Sequence, residues 1–266
     1  MKPIELFNQG HLDESLAAAR DAVKSNPTDA NARAILAELL CFYDEFEKAD
    51  THLDTVSTMV PSLAVPVAQF RQIIRGAVAR RDWASGRGVP DFREDANAEM
   101  KLRLRVAVCF HAGDVAEAGK LAAEAEAARK PLAGMQDDIK FDDLRDPDDI
   151  LGSVLEVLTG DGRYFWLQLD DLAWLKIEAP TRPRDLLFRA GRVAWKDGRE
   201  GAVFLPMTYP WNNEHADAGL RAGRSTAWLE DSENLVRGTG GKMLMVGEEG
   251  VALGDVRTVT FDGSGS

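Results

Sequence analysis

Residues 10–61, GHLDESLAAARDAVKSNPTDANARAILAELLCFYDEFEKADTHLDTVSTMVP, decide how the first half of this chain folds. Pro27 and Pro61 stand 34 residues apart, and at the same offset Leu6 matches Leu40, Leu12 matches Phe46, Ser15 matches Ala49 and Ala19 matches Leu53. This is the period of a tetratricopeptide, a pair of antiparallel helices. Small residues let the two approach, apolar residues fill the seam and a proline closes the second helix. Ala34, Leu36, Leu40, Ala49, Leu53 and Pro61 occupy those places. Further on, GDVAEAGKLA at 113–122 echoes GHLDESLAAA at 10–19, and the turn signature recurs as Gly10-His11-Leu12, Asp44-Glu45-Phe46 and Gly113-Asp114-Val115. Between these copies, Pro66 to Arg81 reads as another amphipathic helix and Ser85 to Pro90 (SGRGVP) as a loop. The pattern predicts six or seven helices up to Lys130, stacked as a short solenoid.

The character of the sequence changes beyond that solenoid. Alanine falls from 26 residues up to Leu144 to 10 after it, while glycine rises from 7 to 16, so helix-forming sequence gives way to turn-rich sequence. Five of the six tryptophans (Trp166, Trp174, Trp195, Trp211, Trp228) lie in the second part, as a β-rich core requires. From Pro131 to Asp149 the chain is polar and acidic, with MQDDIKFDDLRDPDD at 135–149. A calcium loop would need alternating ligands, a central glycine and a closing glutamate, and the run lacks that order. It reads as a solvated connector in which Asp149 caps a short helix, Ile150 to Leu158.

After Gly160 the apolar residues alternate with period two in RYFWLQL (163–169), LAWLKIE (172–178), RDLLFRAGRVAW (184–195) and GAVFLPM (201–207). Later strands are expected at Ser225 to Leu229, Leu235 to Arg237, Met243 to Val246 and Val256 to Phe261. Seven or eight short strands suggest a bent antiparallel sheet or a small barrel. The expected fold class is therefore α+β: a tetratricopeptide-like helical domain over 1–130, an acidic connector over 131–149 and a β-rich domain over 150–266.

With 266 residues, 45% hydrophobic and 29% charged, the chain is long enough to bury two cores and is neither disordered nor collagen-like. Its formal charge of −12 repels phosphate backbones and anionic lipid heads, which argues against nucleic acid and membrane surfaces as partners. No basic region leads into an apolar one near the start, and no window approaches the length of a membrane span. Cys41 and Cys109 are the only cysteines, each in an apolar helical pattern, which excludes a disulfide framework or zinc knuckle and fits a reducing cytoplasm.

Catalytic chemistry is poorly supplied. His11, His52, His111 and His215 fall at a turn, a helix, a helix end and a loop, with no HxxxH or HxH pair, and read as surface or capping residues. No GxSxG elbow occurs, and VRGTGGKM at 236–243 matches neither the Walker nor the dinucleotide pattern, so it reads as a hairpin turn. Asp170-Asp171 and Glu248-Glu249 are sequence neighbours, which strand geometry sends to opposite faces; they read as solvated turn positions. No catalytic residue, metal ligand or cofactor is assigned. Tyr164 and Trp166 share one strand face, where they pack in the core or form an exposed aromatic recognition patch.

Helical repeats followed by a distinctive C-terminal string resemble the ImpE/TagJ family, the SciE-type proteins of bacterial type VI secretion. The likeness is carried by LAELLCFYDEFEKADTHLD (36–54), ILGSVLEVLTGDGRYFWLQLDDLAWLKIEAPTRPRDLLF (150–188), VFLPMTYPW (203–211), STAWLE (225–230) and GDVRTV (254–259). The resemblance implies a non-enzymatic cytoplasmic accessory protein. It would bind the N-terminal helix of the small contractile-sheath subunit and in some members be linked to the AAA+ unfoldase that recycles the sheath. The corresponding mechanism is an amphipathic partner helix laid in a groove of the repeat domain, with acidic side chains orienting basic partner residues. The first helix of the second repeat would contribute Asn31, Ala34, Glu38 and Cys41 to that groove, and Tyr164 and Trp166 would add an aromatic patch. An enzyme with an unrecognised C-terminal site and a homo-oligomeric scaffold are the rival readings.

Overall fold

The computed structural model describes residues 1–211 and 217–263. Among them, seven α-helices precede Lys130: α1 (Pro3–Asn8), α2 (Leu12–Ser25), α3 (Ala30–Cys41), α4 (Phe46–Met59), α5 (Ala64–Ala84), α6 (Ala98–His111) and α7 (Val115–Ala128). The 34-residue offset survives in the backbone. Helices α2 and α4 each run for 14 residues from equivalent starts. They also end in nearly the same conformation, Asn26 at φ −135°, ψ 83° and Val60 at φ −133°, ψ 83°. Each recurring turn signature contains one left-handed residue, Gly10 (φ 91°), Asp44 (φ 55°) and Gly113 (φ 81°), two positions ahead of its helix. Glycine reaches this region freely and aspartate tolerates it, which explains both residue types in one turn.

Where the loops allow, polar side chains close the helix starts: Asp29, Asn97 and Asp114 accept from the free N–H groups of Ala32, Met100 and Glu117. At the seams, Leu12 with Phe46, Ser15 with Ala49 and Ala19 with Leu53 are buried in equivalent places.

The second half carries strands β1 (Gly134–Gln136), β2 (Ile139–Phe141), β3 (Leu144–Arg145), β4 (Val154–Leu158), β5 (Tyr164–Gln168), β6 (Leu172–Ile177), β7 (Phe188–Trp195) and β8 (Glu200–Pro206). A short helix α8 (Ala218–Arg221) follows, then β9 (Thr226–Ser232), β10 (Leu235–Gly240), β11 (Met243–Val246), β12 (Glu249–Ala252) and β13 (Thr258–Phe261). Eight of these form an open antiparallel sheet in the order β2-β1-β13-β6-β7-β8-β4-β5. Because β2 and β5 do not pair, no barrel closes. Beside it stand a three-stranded sheet, β12-β11-β3, and the β9–β10 hairpin. One edge of the large sheet is covered, since Asp91 from the α5–α6 loop bonds to Tyr164 and Trp166 along β5.

Two cores result, one on each face of the sheet. Val154, Leu158, Tyr164 and Trp166 turn toward the helices and join the core built on Leu36, Phe70 and Trp83. Leu155, Val157 and Leu167, one residue out of phase, face the core shared with Leu144, Leu244 and Leu253. The α+β architecture is thus as expected, with three local corrections.

The helix expected over 150–158 does not form: residues 150–153 make a turn and 154–158 a strand, because β4 is buried on both faces and such a strand reads as an unbroken apolar run. The acidic stretch 131–149 is not a solvated connector: it contributes β1, β2 and β3, and Asp146 and Asp148 are buried. VRGTGGKM does not close a hairpin, since its first five residues belong to β10 and its glycine pair carries the chain from one sheet to another. His215 lies outside the described residues, and no described helix is long and apolar enough to cross a membrane.

Candidate partner-binding cleft

A buried charge cluster fastens α5 to the sheet. Arg80 donates from Nε and Nη2 to the two carboxylate oxygens of Glu156 on β4, at 2.8 and 2.7 Å, and from Nη2 to the Thr208 carbonyl at 2.7 Å. Lys242 reaches the same carboxylate at 2.7 Å, and the Tyr164 hydroxyl donates to it while accepting from Trp166 Nε1. Burial would raise the Glu156 pKa, but Arg80 and Lys242 outweigh it and hold the carboxyl at about 2. Next to it, burial pushes Asp146 up to about 7 against the pull of Lys242, and the Tyr209 hydroxyl donates to it at 2.8 Å. Every oxygen of Glu156 is committed to a cation or hydroxyl, so this carboxylate acts as a joint between helix and sheet.

From the end of β6 the chain returns across the helices as a strap, residues 178–187, before entering β7. The strap is rigid by construction. Asp185 Oδ2 accepts from the N–H groups of Thr181 and Arg182 at 2.7 and 3.0 Å, and Arg189 Nε donates to the Asp185 carbonyl at 2.7 Å. Arg182 Nε lies 2.8 Å from Glu38 Oε1 on α3, the Arg184 N–H approaches the other oxygen at 3.5 Å, and the Arg184 guanidinium sits 4.3 Å over the Phe70 ring. Burial raises the Glu38 pKa in spite of the two arginines.

Between the strap and helices α3, α4 and α5 lies a small cleft of about 80 Å³ with Leu53, Val56, Val67 and Phe70 in its walls. Its lip is the 3-10 turn Pro61–Leu63 and the start of α5, where Leu63 is 39% and Val65 81% exposed. Leu63 thus stands half-exposed at the mouth of an apolar cleft, one wall of which, α5, is tied to the sheet by a buried ion pair.

The residues proposed from sequence separate into three places. Ala34 and Glu38 line this cleft, Ala34 half-buried and Glu38 covered by the strap. Asn31 is exposed at the start of α3. Cys41 faces a neighbouring cleft with Phe46, Arg80 and Phe188, where burial and the charge of Glu38 push its thiol above the usual range. Tyr164 and Trp166 are buried against Trp83, with ring centroids 5.9 and 5.0 Å away, and present no aromatic patch to solvent. The lip residues Leu63 and Val65 were missed. Their signal was PSLAVP at 61–66, an apolar run beyond the last position the repeat needs to bury.

A Pseudomonas aeruginosa protein, described as the type VI secretion system accessory component TagJ, is 32% identical over 260 residues, covering 97% of this chain and 90% of its own length. The chain belongs to the ImpE/TagJ family. The family model for the ImpE protein matches residues 138–260. A crystal structure of a Vibrio parahaemolyticus protein superposes with a TM-score of 0.89 at 26% identity, over 97% of both chains. In ImpE/TagJ terms, the matched segment holds the strap, which is one wall of the cleft, and the sheet side of the joint, while the helical walls and the lip come before it.

Proposed function

We propose that this chain is a non-catalytic, cytoplasmic accessory component of a bacterial type VI secretion system. It would seat the N-terminal helix of the small contractile-sheath subunit on the Leu63–Val65 lip and so present the sheath to its AAA+ unfoldase. The observation that carries the reading is the apolar cleft with Leu63, 39% exposed, at its mouth and Val65, 81% exposed, at the adjoining start of α5. The TagJ relative supports the secretion setting. The strap changes where the helix goes: Glu38 and Cys41 are closed off, so the partner lies along the rim formed by Ala34, Leu63 and Val65.

A fluorescein-labelled synthetic peptide of that sheath helix, titrated into the full chain, is the test. Saturable binding weakened about tenfold or more by Val65→Asp supports the reading. No saturation at tens of micromolar, or equal binding by Val65→Asp, overturns it. Concentration-dependent mass that Val65→Asp abolishes would instead favour the homo-oligomeric scaffold.

A further inference from the structure

The two outer edges of the large sheet are treated differently. Strand β5 is covered by Asp91, whereas among the described residues no segment pairs with the outer side of β2. Strand β12 is likewise the last strand of its sheet. Both free edges line one open cleft of about 690 Å³, far from the helical lip in sequence and built wholly from the β half. Along β2, Ile139 and Phe141 share a face. Phe141 is buried against Phe261 at a centroid distance of 6.5 Å, while Ile139 is 65% exposed, so the apolar face of the sheet runs out into solvent at the strand that could still accept a neighbour. Val246 and Val251 stand on the other wall. The rim is acidic, with Asp142, Glu248 and Glu249 against the single cation Lys140 among the lining residues.

We infer that this cleft takes an extended, basic peptide segment that adds a strand to β2, its main chain pairing with the free edge and its alternate side chains meeting Ile139 on one face and the acidic rim on the other. Main-chain pairing would supply affinity and side-chain alternation selectivity, as in other strand additions. The negative rim selects lysine- or arginine-bearing strands and repels acidic ones. The site is independent of the helix seat, so the two fail separately.

The probe is an eight-residue peptide of alternating lysine and valine, fluorescein-labelled and titrated into the full chain by anisotropy. Its controls are an alternating glutamate–valine peptide and the lysine–valine peptide methylated on alternate backbone nitrogens. Saturable binding is expected, weakened about tenfold or more by backbone methylation, by the glutamate peptide, by Ile139→Asp and by Glu248→Lys with Glu249→Lys. Ile139 is exposed, so its aspartate variant should keep the melting temperature of the parent chain, and Val65→Asp should leave the affinity unchanged. No binding, equal binding of the methylated or acidic peptide, or indifference to Ile139→Asp overturns the inference. So does sedimentation showing that the chain dimerises through this edge in a manner abolished by Ile139→Asp, because the occupant would then be a second copy.

Discussion

Replacing Glu156 by glutamine tests whether the joint between helices and sheet is electrostatic. The substitution keeps the shape and removes one charge. It leaves Arg80 and Lys242, whose side chains are 10% and 4% exposed, without the anion that offsets their burial. Arg80 retains the Thr208 carbonyl and Lys242 retains Asp146 at 3.8 Å, so the loss is partly cushioned on each side. Breaking a buried ion pair by removing one partner costs about 3–5 kcal/mol, because a charge stays buried and uncompensated. In a chain of this size that corresponds to a fall of about 6–20 °C in melting temperature. Urea unfolding at pH 7 measures it, followed by the fluorescence of Trp83, Trp166 and Trp211, which sit together at the joint with centroids 5.0 and 5.2 Å from Trp83.

The pH dependence gives an independent reading of the same group. Its carboxyl titrates at about 2 in the folded chain and at the ordinary 4.5 when unfolded, so on acidification the unfolded chain takes up the proton first. The stabilisation is complete above pH 4.5 and is lost as the pH falls toward 2. Glu156→Gln should therefore flatten the acid limb of the stability curve as well as lower its plateau. The double variant Arg80→Met with Glu156→Leu should recover part of the loss, since the Arg80 charge goes with its partner and Lys242 keeps Asp146. A plateau loss below about 1 kcal/mol, or an acid limb of unchanged slope in Glu156→Gln, would refute the reasoning.

Other expectations follow from the same geometry. Arg182→Ala should cost less than about 1 kcal/mol, because that side chain is 48% exposed, yet speed hydrogen exchange at residues 181–186 as the strap loses its tie to Glu38; unchanged protection would show that the strap does not depend on it. Gly238→Ala would place a methyl group 2.2 Å from the Tyr209 ring and should destabilise by about 1–3 kcal/mol in thermal unfolding. Ala49→Leu, at a fully buried helix crossing, should cost a similar amount in urea, whereas Val65→Asp should stay within about 0.5 kcal/mol of the parent.

How far the sequence can be read depends on how local the determining contacts are. Helices α2 and α4 were legible because a fixed offset places like residues at like depths, and β5 to β8 because one apolar residue in two declares a strand. By contrast, β4 is buried on both faces and carries no alternation to read. The run at 146–149 looks solvated because aspartates usually are. Here Asp148 accepts from Gly238 N–H at 3.0 Å and from Trp211 Nε1 at 3.0 Å, and Asp149 accepts from Val236 N–H at 2.6 Å, so each carboxylate serves a buried donor far along the chain. The cleft was half legible. Ala34 and Glu38 follow from the repeat, but what covers Glu38 comes from Arg182 and Arg184, and Arg184 is 146 positions away. No local pattern encodes a meeting at that separation.

The residues of the joint and those of the two proposed surfaces are also held by different constraints. The family match covers 138–260, and within it Glu156, Tyr164, Trp166 and Lys242 all face the joint, with Trp166 and Tyr164 packed on Trp83 of α5. Those positions answer to a fixed internal geometry: the Tyr164 hydroxyl reaches Glu156, and the Trp166 indole fits beside Trp83. The lip at Leu63 and Val65 and the edge at Ile139 have no such internal partner to satisfy, and their chemistry is set only by what lands on them. Substitutions at the joint should therefore lower apparent affinity at both surfaces together, by the fraction of chain they unfold, while substitutions at Val65 or Ile139 should each weaken one interaction about tenfold or more in a chain that unfolds at its normal temperature. If Glu156→Gln spared binding at both surfaces at a temperature where half the chain is unfolded, neither surface would need the folded joint, and the two-surface reading would fail with it.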